Sequence, residues 1–381
     1  MLAVDQPRML IADDQPDVLE ALRLLLKGAG FQTEAVTSPS AALEAVRNNT
    51  YDLLLMDLNY ARDTTSGREG LDLLAGVRQI DGTLPIVVIT AWGTVDIAVE
   101  ALRGGVTDFV LKPWENSQLV STLLKHVEAG RLARRSRRLS NQLQQEVDDA
   151  RTIQQRLVPT AIPQVPGYSI AAAWEPAHTV GGDYYDVLRL DEEKVAVCIA
   201  DVSGKGMAAA LLMSNVQATL RAYASAEISP AQLCARLNRV VSGNTEADRF
   251  ISLFYCVLNT RNGRLTYSNA GHNAPILVRS DGSVVRLDCG GLVLGPLPEV
   301  SFEECEVEFN TGDRVLLFTD GVTEATNSAG DEFGDDRLIR ALIRSKRLDA
   351  DQLKNDLMAT LAEFSAGKNT DDVTLVAIAA N

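Results

Sequence analysis

The spacing of apolar and polar residues changes twice along this chain, and the changes divide it into three stretches. As far as about Glu115, the runs MLIADD (9–14), YDLLLMDL (51–58), PIVVITA (85–91) and DFVLKP (108–113) are apolar almost throughout. Each is trailed by apolar residues at helical spacing, such as Val18, Leu19, Leu22, Leu25 and Leu26 after the first. Strands without a polar face belong to a parallel sheet covered on both sides. The strand–helix alternation is that of a doubly wound α/β domain. From Glu115 to Leu157 the pattern turns helical, with Gly130 its interruption and Pro159 its stop. There Leu143, Val147, Ala150 and Leu157, with Gln154 completing the spacing, alternate by four and three, the rhythm of a short coiled-coil seam. Beyond it YSIAAAW, DYYDVLRL, KVAVCIADV, ISLFYCVLN, RLTYSNA, APILVRS and RVLLFTD read as strands, with turn signals at Arg261-Asn262-Gly263 and Asp281-Gly282. Two helical hairpins interrupt them, near 206–242 and 335–364. This texture predicts an antiparallel β-sandwich flanked by helices, an α+β domain. The expected division is 1–117, a linker over 118–158, and 159–381.

Composition narrows the function. The 381 residues hold 36 basic and 51 acidic side chains, a net charge of −15, which argues against a nucleic-acid partner. The run RLARRSRR (131–138) reverses the sign locally. It reads most simply as a solvated helix face, with a patch for an anionic partner as the alternative; no helix-turn-helix follows it to suit DNA. No apolar run approaches the ~20 residues of a membrane span, and the start MLAVDQPRML lacks a signal-peptide pattern. The expectation is a cytoplasmic protein without a membrane partner. Five scattered cysteines with no C-x-x-C pair predict neither a disulfide framework nor a zinc site.

The first candidate chemistry sits where the parallel strands end. Asp13 and Asp14 close one apolar run, Asp57 another, Thr90 a third, and Lys112 follows a fourth. Doubly wound sheets bind ligands at that edge. Carboxylates gathered there repel one another unless a hard divalent cation joins them, and Mg²⁺ prefers oxygen ligands. A carboxylate beside Mg²⁺ and an ammonium can accept a phosphoryl group. Residues 7–125 resemble the receiver domain of two-component response regulators, a flavodoxin-like fold. The resemblance implies Asp57 as phosphoacceptor, and a Mg²⁺ held by Asp13, Asp14, Asp57 and the carbonyl of Asn59. It also implies Thr90 as switch hydroxyl, Lys112 (before Pro113) as the lysine that pairs with the phosphate, and Phe109 as switch aromatic. The partner it implies is a sensor histidine kinase or another phosphodonor. The loop NYARDTTSGRE (59–69) departs from the family pattern by its length and by lacking Met-Pro.

The second constellation is Asp183 in GGDYYD, Asp201 in IADVSGKG, Asp320 in FTDGVTEA, and Asp371 with Asp372 in NTDDVTLV. Any single Asp-Gly reads as a turn, as Asp281-Gly282 does; separated motifs of this kind point further. None of the three histidines lies in them, so the donors are all oxygen, which suits Mn²⁺ or Mg²⁺ and not zinc. Two such ions can activate water and clamp a phosphoryl oxygen. Residues 150–380 resemble the PPM family, the protein phosphatase 2C-like metal-dependent serine/threonine phosphatases. The closer likeness is to the bacterial sporulation and stress-response branch, through RTIQQRLVP and SNAGHNAPIL as well. The resemblance implies that Asp201 bridges two Mn²⁺ or Mg²⁺ ions. Asp183, Asp320, Asp371 and the carbonyl of Val202 would complete the set, with Asp372 able to replace Asp371. Ser203 stands where eukaryotic members carry a histidine, so leaving-group protonation has no assigned side chain. His272 and Asn273 read as loop-fixing.

Together these imply a response regulator whose output is a serine/threonine phosphatase acting on a phosphorylated, STAS-type anti-sigma-factor antagonist, and a homodimer formed through the helical linker. The alternative is a catalytically weak adaptor that sequesters a signalling partner. A set of mutually repulsive carboxylates speaks against it.

Overall fold

The apolar runs that close on Ala12, Asp57 and Thr90 do pair side by side in parallel. The structure, a computed structural model, describes residues 6–60, 67–90, 95–245, 249–345, 348–367 and 370–381. It divides into the units Met1–Leu143 and Gln144–Asn381. In the first, β1 (Arg8–Ala12), β2 (Gln32–Val36), β3 (Leu53–Asp57), β4 (Ile86–Thr90) and β5 (Asp108–Leu111) form one parallel sheet in the order β2-β1-β3-β4-β5. Helices α1 (Pro16–Gly28), α2 (Pro39–Asn48), α3 (Arg68–Ile80), α4 (Val95–Arg103) and α5 (Asn116–Gln154) follow the successive strands. Alternate residues explain the two covered faces. Leu10, Leu54 and Val88 bury against α2 and α3, whereas Met9, Leu55 and Ile89 bury against α1 and against Leu119, Leu123 and Val127 of α5. The strand order reverses between β1 and β3, so Asp13 and Asp57 flank the crevice where such sheets bind ligands. β2 escapes an apolar-run reading because QTEAV is a half-exposed edge strand.

α5 ends at Gln154, short of the expected Leu157, which instead packs against the core of the second unit. The large apolar residues exposed on α5 are Leu124, Leu132, Leu139, Leu143 and Ile153. The arginine run is partly structural. Arg131 donates to Asp52 through Nε (2.9 Å) and Nη2 (2.7 Å), and Arg134 donates to the Tyr51 carbonyl at 2.9 Å.

In the second unit, the strands β6 (Tyr168–Glu175), β7 (Tyr184–Arg189), β8 (Lys194–Val202), β9 (Ile251–Asn259), β10 (Arg264–Ala270), β11 (Ile276–Val278), β12 (Val284–Arg286), β13 (Gly290–Gly291), β14 (Cys305–Glu308), β15 (Arg314–Phe318) and β16 (Val373–Ala380) form two sheets. One runs β13-β10-β9-β8-β7 with β14 also on β10, the other β12-β11-β15-β16-β6, and all pairs are antiparallel except β10 with β13. Val315, Leu317, Val376 and Ile378 fill the space between the sheets. Their alternates Leu316, Phe318, Leu375 and Ala377 bury against α8 (Asp320–Thr323), α9 (Gly334–Arg344) and α10 (Ala350–Ser365). On the far side α6 (Met207–Tyr223) and α7 (Pro230–Val241) cover the first sheet through Met213, Leu220, Leu233 and Leu237. The expected sandwich flanked by helices is therefore present. Among the described residues, no helix is long and apolar enough to cross a membrane.

Cys289 and Cys305 form a disulfide with Cα atoms 6.0 Å apart, which corrects the reading of the cysteines as unpaired. Separated by 16 positions, they meet because both flank β10: Cys305 pairs with Tyr267, and the Cys289 carbonyl accepts from Asn269. Cys198, Cys234 and Cys256 are free and buried.

His272 ties the sheets together at one end. Its Nε2 donates to the Phe318 carbonyl (3.1 Å), so Nδ1 is left to accept from Ser252 Oγ at 2.7 Å. This is the loop-fixing role expected of it. Burial pushes the imidazole down from 6.5 to about 4. Between those values the unfolded chain binds a proton that the folded one refuses, so stability falls as pH falls below about 6.5. Urea unfolding at pH 7 and pH 5 should show a loss of about 2 kcal/mol from this group, absent in His272→Gln. An unchanged pH slope in that variant would contradict the assignment.

Candidate functional site

In the first unit a lysine stands between two acids. Lys112 Nζ lies 2.7 Å from Asp57 Oδ2 and 2.9 Å from Asp13 Oδ2. Burial presses its pKa down, but hydrogen bonds to Asp57 and Asp13 more than offset this, and the net shift is upward. Asp57 Oδ1 accepts the amides of Leu58 (2.6 Å) and Asn59 (3.2 Å), so the carboxylate is held rigidly at the end of β3. Asp13 is buried and accepts the Gln15 amide at 2.9 Å, while Asp14 beside it is partly exposed. Beneath them the Tyr60 hydroxyl donates to the Ala12 carbonyl at 3.2 Å. Thr90 ends β4 with a buried Oγ1 that has no hydrogen-bond partner among the described residues. Phe109 is half-buried on β5. Residues 61–66 of the long loop after Asp57 lie outside the described residues.

The second site is built from strand ends of both sheets. Asp201 comes from the end of β8, Asp183 immediately precedes β7, Asp320 opens α8 after β15, and Asp371 precedes β16. Close backbone approach makes the convergence possible. A Cβ on Gly321 would lie 2.0 Å from the Asp372 carbonyl oxygen, and one on Gly182 would lie 2.9 Å from that of Val202.

The carboxylates burden one another. Burial first, then Asp320 and Asp371, push the Asp201 carboxyl up to about 7, with a hydrogen bond to Asp183 acting the other way. Burial and then Asp371 raise Asp320. Asp183, 1% exposed, is driven well above the carboxylate range by burial and then by Asp201. Its Oδ2 accepts from Thr319 Oγ1 at 2.8 Å and from Thr374 Oγ1, which anchors it to the other sheet. Lys205 supplies one positive charge, with Nζ 2.8 Å from Asp371 Oδ2.

The adjacent acids differ in employment. Asp372 Oδ1 accepts the Ala177 amide and its Oδ2 the Gly182 amide, both at 2.8 Å, so it fastens the loop before β7. Of the two, Asp371 acts the more strongly on Asp201 and also raises Asp320. Among the described residues, no three acidic, imidazole or thiol side chains close into a cluster that grips an ion unaided. An excess of buried negative charge, all of it on oxygen, still fits a hard divalent cation whose shell is completed by carbonyl and water.

Sequence reasoning missed Lys205, Thr319 and Thr374. It also misplaced Gln154, reading it as a seam position. The buried Gln154 side chain donates to the Gly181 carbonyl (2.6 Å) and accepts the Gly181 amide (3.0 Å), gripping the loop that carries Asp183. A polar residue breaking an apolar helical repeat beside Leu157 was the available signal.

Fold and sites define a class: a receiver domain joined to a PP2C-type serine/threonine protein phosphatase. The family model for the response regulator receiver domain matches residues 9–124, and that for Stage II sporulation protein E (SpoIIE) matches 191–381. The chain belongs to the SpoIIE phosphatase family. It is 32% identical over 244 residues to phosphoserine phosphatase RsbU of Bacillus subtilis, across 64% of this chain and 72% of that protein. It is 30% identical over 267 residues to protein IcfG of Synechocystis, across 62% of this chain and 42% of that longer protein. The fold matches the SiaA-PP2C domain of Pseudomonas aeruginosa with TM-score 0.55 at 22% identity, over 64% of this chain and 99% of that one.

Because Thr374 holds Asp183 from across the sandwich, Thr374→Val should weaken Mn²⁺ affinity by about 10–100-fold while the fold persists. Calorimetric titration with Mn²⁺ tests this; wild-type affinity in the variant would show that the Thr374 contact does not position Asp183 for a cation.

Proposed function

We propose that this enzyme dephosphorylates a serine-phosphorylated, STAS-type anti-sigma-factor antagonist in the cytoplasm. Its receiver, which extends past the expected boundary at 117 because Leu119, Leu123 and Val127 of α5 belong to its core, would accept a phosphoryl group from a histidine kinase or another phosphodonor. The remainder of 118–158 is the linker and 159–381 the phosphatase. The observation that carries the catalytic part is the burial of Asp201 and Asp320 together, each raised by burial and then by neighbouring acids, Asp371 among them, which a silent adaptor would have no reason to bear. Asp201 would bridge two Mn²⁺ or Mg²⁺ ions, with Asp183, Asp320, Asp371 and the Val202 carbonyl completing the set. When bound, the ions polarise the phosphoryl oxygen and activate water. Thr319 and Thr374 orient Asp183, Asp372 fixes the loop beneath it, and Lys205 holds Asp371 and is the nearby cation for an incoming phosphate.

In the receiver, Asp57 is the proposed acceptor, with Mg²⁺ on Asp13, Asp14, Asp57 and the Asn59 carbonyl. The unsatisfied Thr90 hydroxyl and the Lys112 ammonium suit a phosphoryl group in that pocket. The exposed Leu132, Leu139, Leu143 and Ile153 of α5 support a homodimer through this helix. Its last residue, Gln154, grips Gly181, so a change in the helix would reach the loop of Asp183. We assign regulation to that contact.

With a serine-phosphorylated antagonist protein and saturating Mn²⁺, Asp201→Asn should lower phosphate release by about 100-fold or more. Full turnover would refute the assignment. With radiolabelled acetyl phosphate, Asp57→Asn should lose the phosphoryl label; label retained at wild-type level would move the acceptor elsewhere.

A further inference from the structure

The second unit has a concave feature apart from the carboxylates. Between α9 and α10 lies a groove of about 610 Å³. Phe333, Ile343 and Phe364 give it apolar walls, the two rings packing edge to face at 5.3 Å. Arg337, Arg340 and Arg344 form its rim, spaced three and four apart and so on one face of α9. Arg337 is fixed in place, with its guanidinium 5.0 Å over the Phe364 ring and Nη1 donating to the carbonyls of Glu332 (2.8 Å) and Phe333 (3.1 Å). Arg340 and Arg344 are exposed. Among the described residues no hydrogen bond or ion pair engages either of them, and Glu363 is the one acid lining the groove.

This basic, apolar groove belongs to a chain of net charge −15. A phosphoprotein bearing about −2 on its phosphoserine therefore approaches a chain of its own sign. A row of cations on the same unit gives an acidic partner a landing place of opposite sign and raises the rate of encounter. The groove is close by: seven positions separate Phe364 from Asp371, so their Cα atoms lie within about 25 Å. One small protein can span that distance.

We propose that the groove docks an acidic, amphipathic segment of the phosphoprotein substrate while its phosphoserine occupies the carboxylate site. The proposal rests on the phosphatase reading above. Acidic side chains would meet Arg340 and Arg344, and apolar ones would cover Ile343 and Phe364.

The test uses the full chain and a fluorescein-labelled helical peptide with leucines at i, i+4 and i+7 and glutamates elsewhere. By anisotropy it should bind, and Arg340→Glu/Arg344→Glu should weaken binding at least about tenfold, as should added salt. Joined through a spacer of about ten Gly/Ser residues, roughly 18 Å in reach, to a phosphoserine peptide, the helix should lower KM without changing kcat. The charge reversal should abolish that gain and leave Mn²⁺-dependent hydrolysis of p-nitrophenyl phosphate unchanged, which also shows that the variant folds. Equal binding by wild type and variant, or no binding to wild type, overturns the proposal. So does attachment to anionic phospholipid vesicles in place of the peptide, or a dimer that the charge reversal dissolves. If p-nitrophenyl phosphate and the peptide both go unhydrolysed, the phosphatase reading has failed, and anisotropy still reports on the groove separately.

Discussion

Like charges brought together out of water are the constraint on which this protein turns. Asp183, Asp201, Asp320 and Asp371 arrive from four strand ends, and burial, reinforced by their proximity, raises the first three. Lys205 answers part of that charge, but it is half exposed and bound to Asp371 alone among them. The receiver solves the same problem differently. There Lys112 lies within 3 Å of both Asp57 and Asp13, so one cation of the chain serves two acids at once. Both sites are left short of positive charge, the receiver with one lysine to Asp13, Asp14 and Asp57 and the phosphatase with one to its larger set, which suits a divalent cation in each.

Holding repulsive groups together requires a stiff frame. Strands buried on both faces, such as β15 and β16, supply most of it. The crossing contacts are made by few residues. His272 joins β9 to β15, Thr319 and Thr374 hold Asp183 from the opposite sheet, and Asp372 ties down the loop before β7. Gln154 adds a contact from the end of the long helix. All but Asp372 are neutral side chains; Asp372 adds a further negative charge that acts on Asp183 and Asp201.

Much of this was legible in the residues. KVAVCIADV, ISLFYCVLN and RLTYSNA coincide with β8, β9 and β10 because continuous apolar character bounded by turn residues suffices to define buried strands. β2 was hidden by its polar edge position, and β16 by its overlap with the aspartate motif. Asp371 and Asp372 could not be separated, because their roles depend on amides of Ala177 and Gly182 at the far side of the fold. Lys205 sat unremarked in a glycine-rich loop. The Cys289–Cys305 pair depends on how β13 and β14 share β10, which no local spacing records.

The charge deficit itself can be measured without a substrate. Thermal unfolding of the full chain, stripped with EDTA and then supplied with Mn²⁺, reports whether the folded carboxylates take up cation. The account predicts a transition that rises with Mn²⁺, equivalent to about 2.7 kcal/mol at one hundred times the dissociation constant. A transition that stays put through millimolar Mn²⁺ would contradict it.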